Sequence, residues 1–201
     1  MSTHALIIID IQNDYFPGGR WPLEGAERAA ENAARLLQAA RDAKDFVVHV
    51  RHEFDSADAP FFAPGSSGAA IHPRVHPLPG EAVILKHKVN AFLSTDLAPT
   101  LERQGIKSLT VVGSMSHMCI DAAERAAADL GYVVTVAHDA RPEVGVVGQD
   151  GPTARASQQG GDLGGARLQH GADGADVDDD GVLRDPVLGV VDLEVEVVGG
   201  R

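Results

Sequence analysis

Three residues of this chain have the chemistry of a nucleophilic site, and each follows a short apolar run. Asp10 ends "HALIIID" and Lys86 ends "AVILK". Cys119, the one cysteine in 201 residues, stands between "SLTVVG" and the helix-like pattern "MCIDAAERAAADLG". A thiol at a strand-to-helix joint feels the positive end of the helix dipole, which favours the thiolate. With a cation beside it, such a thiol can fall from about 8.5 to roughly 3.5–7.5. Lys86 is the candidate cation. Asp10 is the candidate to take the thiol proton and return it to a leaving group. Each residue also has a plainer reading: a small core cysteine, a loop or cap aspartate, a solvated lysine. Spacing alone leaves both readings open.

The elements around these residues decide whether they can meet. β-branched runs at 4–10, 46–52, 82–86, 108–113 and 132–140 have the character of buried parallel strands. Between them, Ala26, Ala29, Ala33, Leu36, Leu37 and Ala40 fall at helical spacing. "STDLAPTLERQG" predicts a second helix with Ser94 or Thr95 as N-cap, and Gly131 closes a third. Strands alternating with helices imply a parallel sheet covered on both faces. Ligands of such sheets sit at the carboxyl ends of the strands, so Asp10, Lys86 and Cys119 should share one edge. The Pro, Gly and Ser-rich stretch "DSADAPFFAPGSSGAAIHPRVHPLPG" reads as a long functional loop, a lid or an oligomer contact.

Composition sets the outer limits. The length suits one α/β domain, and a lone cysteine, which cannot pair within the chain, points to a reducing, cytoplasmic setting. The start, "MSTHALIIIDIQND", resembles neither a signal peptide nor a membrane span. A net charge of −12 argues against nucleic acid and anionic membranes as partners. The charge is uneven: residues 1–140 hold 12 basic and 17 acidic side chains, residues 141–201 hold 5 and 12. Residues 141–201 also lack Phe, Tyr, Trp, Met, Ile, Lys, Asn and Cys and hold 13 of the 22 glycines. Most of the missing types have AT-rich codons, the bias of GC-rich DNA translated out of frame. The chain is therefore read as a domain over 1–140 followed by an atypical segment over 141–201, out of frame or, alternatively, an acidic disordered tail. "VLGVVDLEVEVV" within it can form a strand by composition alone.

The motifs resemble those of the isochorismatase-like cysteine hydrolases, a family that includes nicotinamidases. "LIIIDIQNDYF" resembles the first motif, "ILKHKVNAF" the second and "VVGSMSHMCIDAA" the third, in order and over about residues 4–140. The resemblance implies a three-layer α/β/α fold with a central parallel sheet, and hydrolysis of a small amide or lactam through a thioester. Cys119 would be the nucleophile, Asp10 the acid/base and Lys86 the cation holding both. It also implies a non-proline cis peptide at Met115–Ser116 that aims N–H groups, that of Cys119 included, at an oxyanion. Gln12 matches a position near the site, and Phe16, Trp21 and Phe92, with Phe61 and Phe62, are candidate pocket walls. Metal-binding nicotinamidases use an Asp-x-His pair where this chain has "VRH", with Val50 in place of the aspartate. His52, His72 and His76 are accordingly read as solvated loop histidines, with no metal and no cofactor, in a homo-oligomer. The alternatives are a vinyl-ether-cleaving isochorismatase, which needs no thiol, and an inactive binding protein of the same fold.

Overall fold

The run from His4 to Ile9 forms a strand, β1, whose side chains alternate between two cores. Leu6 and Ile8 face one and Ala5, Ile7 and Ile9 the other, which is why the run is apolar throughout. The computed structural model describes residues 2–137 and the backbone of segments 176–177, 182–185 and 189–198. After β1 come α1 (Ala26–Ala43), β2 (Phe46–His52), β3 (Ala82–Lys86), α2 (Leu97–Arg103), β4 (Ser108–Gly113), α3 (Asp121–Asp129) and β5 (Val133–Ala137). The remaining segments are β6 (Asp176–Val177), β7 (Val182–Asp185) and β8 (Gly189–Val198). The strand order is β3-β2-β1-β4-β5-β8-β7-β6, and the first five are parallel.

α1 covers one face through Ala26, Ala30, Ala33, Leu37 and Ala40, small side chains that bring the helix close to the sheet. Leu97 and Leu101 of α2 and Ala123 and Ala127 of α3 cover the other. This is the expected three-layer α/β/α arrangement. All six apolar positions that the periodicity assigned to α1 are buried. α2 begins later than expected, with Asp96 at its N-cap and no side-chain cap bond. Thr95 works from one residue outside, its hydroxyl accepting from the Leu97 N–H at 3.3 Å and donating to the Ala91 carbonyl at 2.6 Å.

The chain runs outward from β1 to β3, then returns past β1 to β4, so strand order reverses between β1 and β4. Such a switch point opens a crevice beyond the strand ends. Gly113 makes the approach there possible: its φ is +148°, and a Cβ would lie 2.0 Å from the Ile9 carbonyl oxygen.

The long loop after β2 is fastened to the end of β1. The N–H groups of Asn13 and Asp14 donate to the Ala70 and Gly68 carbonyls at 3.1 and 2.9 Å, and the His72 N–H donates to Ile11 at 2.9 Å. The buried Asp14 carboxylate accepts from the N–H groups of Phe62 (2.7 Å) and Arg20 (3.1 Å). At the far side of the sheet β8 pairs antiparallel with β5, Val134 opposite Val198. This strand overlaps the run "VLGVVDLEVEVV". The readings of 141–201 as out of frame or disordered otherwise fall outside the described residues. Among the described residues no helix is long and apolar enough to cross a membrane.

Candidate active site

Asp10 follows β1 with a left-handed φ of 55°, its N–H bonded to the Val50 carbonyl at 2.9 Å. Lys86 ends β3, two strands away, or roughly 10 Å at ordinary strand spacing. Its long side chain crosses that gap under β2. Both residues are buried, and Lys86 Nζ lies 2.8 Å from Asp10 Oδ2. The contact is a close ion pair between two buried side chains. Lys86 Nζ also lies 3.3 Å from Cys119 Sγ, 3.1 Å from His52 Nδ1, and 3.2 and 3.3 Å from the carbonyls of Lys88 and Val89. Burial alone would lower the lysine's affinity for its proton. The negative charge of Asp10, together with the contact to Cys119, outweighs it and raises the pKa above its usual value, so Lys86 is an ammonium.

Cys119 sits in a π-helical turn, Ser116–Ile120, that leads into α3. The three residues that spacing placed on one sheet edge therefore do converge. Their electrostatics differ from expectation, however. Burial first, and then the charge of Asp10, push the Cys119 thiol up to about 12 despite Lys86. Desolvation disfavours a thiolate more than one shared ammonium favours it. The free site thus holds a thiol beside a carboxylate and an ammonium.

Several expected roles change. No peptide bond among the described residues is cis, so Met115–Ser116 is trans. The reversal after β4 is made instead by Gly113 and by Met115, which takes a left-handed φ of 64°. Gln12 is wholly buried and its amide is fully used. It donates to the His52 and Ala69 carbonyls, both at 2.8 Å, and accepts from the His52 N–H at 2.7 Å. It clamps the end of β2 to the loop and has no donor left for substrate. Phe16 packs in the α1-side core and stacks on His72 at 3.7 Å, and exposed Trp21 packs on Phe61 at 5.1 Å. Phe92 packs against the opposite core, the one that contains Cys119. Phe62 is a fully buried core residue.

His52 is not a solvated loop histidine. It is the last residue of β2, 6% exposed, in register with Lys86. Burial first, then the Lys86 charge, lower its pKa to about 4. Alternation in "FVVHVRH" puts Val50 and His52 on one face of β2, which was the available signal, but the neighbour that gives it meaning lies on β3. Its ring packs on Phe54 at 4.7 Å, Phe54 on Phe61 at 5.1 Å, and Phe61 on Trp21, an aromatic path from the surface to the neighbour of Lys86. Tyr15 is buried nearby, its pKa raised by burial and then by the charge of Asp10. His72 accepts from the Arg74 N–H at 3.4 Å, and the His76 carbonyl accepts from Arg41 at 3.0 Å, both outside the site.

Residues 4–167 match the isochorismatase domain. The chain belongs to the isochorismatase family. Over 138 residues it is 50% identical to the family's YddQ protein of Bacillus subtilis, covering 69% of this chain and 77% of that one. It is 32% identical to the maleamate amidohydrolase of Pseudomonas putida, over 67% of this chain and 70% of the enzyme. A crystal structure of an isochorismatase hydrolase from Oleispira antarctica superposes with a TM-score of 0.68 at 54% identity, covering 71% of this chain and 79% of that one.

Proposed function

We propose that this isochorismatase-family chain is a cysteine amidohydrolase acting on a small amide or lactam. The observation that carries the reading is Lys86 Nζ, 2.8 Å from Asp10 and 3.3 Å from Cys119, with all three side chains buried at one sheet edge. Because the thiol is protonated at rest, attack needs a base in place, and Asp10 is that base. The thiol proton passes to Asp10 as Sγ bonds to the carbonyl carbon. The C–N bond then breaks as Asp10 returns the proton to the leaving nitrogen, leaving a thioester. Water adds to the thioester, giving its proton to Asp10. The C–S bond breaks and the sulfur recovers a proton from Asp10. Lys86 stays charged throughout and stabilises whichever partner is the anion. N–H groups of the turn through Met115, Ser116 and Cys119 are the candidates for the oxyanion. Likeness to a maleamate amidohydrolase supports amide rather than vinyl-ether chemistry, as does a thiol in contact with the lysine. A thiol nucleophile also suits a reducing, cytoplasmic compartment.

The test is ammonia release from a panel of small amides. Cys119→Ala should lose at least about a thousandfold in kcat/KM while its circular dichroism is unchanged. Amide hydrolysis retained by a folded Cys119→Ala protein would remove Cys119 as the nucleophile.

A further inference from the structure

One polar atom beside the site has no role in this mechanism. His52 is gripped at both main-chain groups by the Gln12 amide, its N–H at 2.7 Å and its carbonyl at 2.8 Å, so its position is fixed. An ammonium has no lone pair, so the 3.1 Å contact from Lys86 Nζ makes His52 Nδ1 the acceptor. In a neutral imidazole the proton then resides on Nε2. Nε2 is buried and has no hydrogen-bond partner among the described residues. A buried donor left unpaired is costly and calls for a reason.

We infer that His52 is a substrate-recognising residue, whose Nε2–H donates to an uncharged, carbonyl-type oxygen carried by the substrate near its scissile amide. This rests on the amidohydrolase reading above. The preference for an uncharged acceptor follows from charge. Among the described residues Lys86 is the one buried Lys or Arg, and it is already committed to Asp10. A substrate carboxylate placed there would be buried near Asp10 with only a neutral donor to meet it. A carbonyl loses little on entry and satisfies the donor.

The experiment uses the full chain carrying Cys119→Ala, so that amides bind without turnover, with 15N-labelled histidine. Three probes of similar shape are compared by calorimetry and NMR: acetoacetamide, butyramide, which lacks the second carbonyl, and malonamate, which replaces the acetyl group by a carboxylate. The free protein should show His52 as the Nε2–H tautomer at pH 7. Acetoacetamide should shift that proton and bind about tenfold tighter than either other probe, the discrimination of one hydrogen bond. Adding His52→Asn keeps an acceptor for Lys86, but its shorter amide cannot place an N–H at the Nε2 position, and the preference should fall below about twofold. His52→Gln, whose amide reaches further, should recover part of it. An Nδ1–H tautomer, no binding of any probe, an Nε2–H unmoved by bound acetoacetamide, or a preference unchanged in His52→Asn would each overturn the inference. An unmoved Nε2–H would make it a donor to the Phe54 ring instead. Amide hydrolysis by Cys119→Ala would strike the nucleophile and leave the His52 readout standing, so the two failures are distinct.

Discussion

At the scale of single residues, what separates this site from a preformed thiolate is the order of the forces on Cys119. Burial and Asp10 raise its pKa and Lys86 lowers it, with a net result of about 12. Removing Lys86 removes the charge and the hydrogen bond that hold the thiol pKa down. In Lys86→Met, the pH at which thiolate absorbance appears should move higher still, above an already alkaline starting point. An unchanged titration would mean that Lys86 does not act on the sulfur. Asp10, Lys86 and Cys119 were legible in the sequence because each terminates or follows an apolar strand, and strand ends share an edge in a parallel sheet. The resting protonation state was not legible, because the burial that sets it comes from a core assembled from residues distant in the chain. Gln12 was misread for a related reason. Its spacing from Asp10 places it near the site, but its three bonds are to a strand end and a loop far along the chain.

At the scale of elements, the sequence revealed the strands and helices but not the attachment of the loop between β2 and β3. A stretch rich in Pro, Gly and Ser reads as a lid, whereas the structure ties it down through Asp14. That side chain accepts two main-chain N–H bonds, and Gly68 packs so closely on it that a Cβ would lie 2.1 Å from Oδ1. Asp14→Ala leaves both N–H groups without their acceptor and opens a void against Gly68. Stability should fall by about 3 kcal/mol, read from the urea midpoint, and limited proteolysis should begin within residues 55–70. A variant as stable and as resistant as the parent would mean that the loop is held elsewhere. The turn after β4 carries the same lesson. Left-handed Met115 achieves the reversal that the family motif led us to assign to a cis bond, and no pattern of residue types distinguishes the two.

At the scale of the whole molecule, one buried group and one half-buried group make stability fall stepwise with acid. The pKa of His52 is about 4 in the fold against 6.5 outside it, so between those values the unfolded chain binds the extra proton. Stability is full above pH 6.5 and declines as the pH drops toward 4, by on the order of 3 kcal/mol. Glu81 follows. Burial alone would raise its pKa, but bonds from Arg41, the Leu78 N–H and His49 bring it from 4.5 to about 2. Its contribution is therefore present above pH 4.5 and lost as the pH falls through 2. Denaturant midpoints measured from pH 7.5 to 3 should begin to fall just below 6.5. A flat profile from pH 7 to 5 would show that His52 is not held neutral. The site also has a kinetic meaning. Its partners are distant in sequence, with Lys86 33 residues from Cys119 and Gln12 40 from His52. Parallel strands cannot pair until long stretches of chain have closed. The crevice exists only when β1 to β4 have all docked, so after dilution from denaturant secondary structure returns first and catalytic competence arrives with the slowest phase.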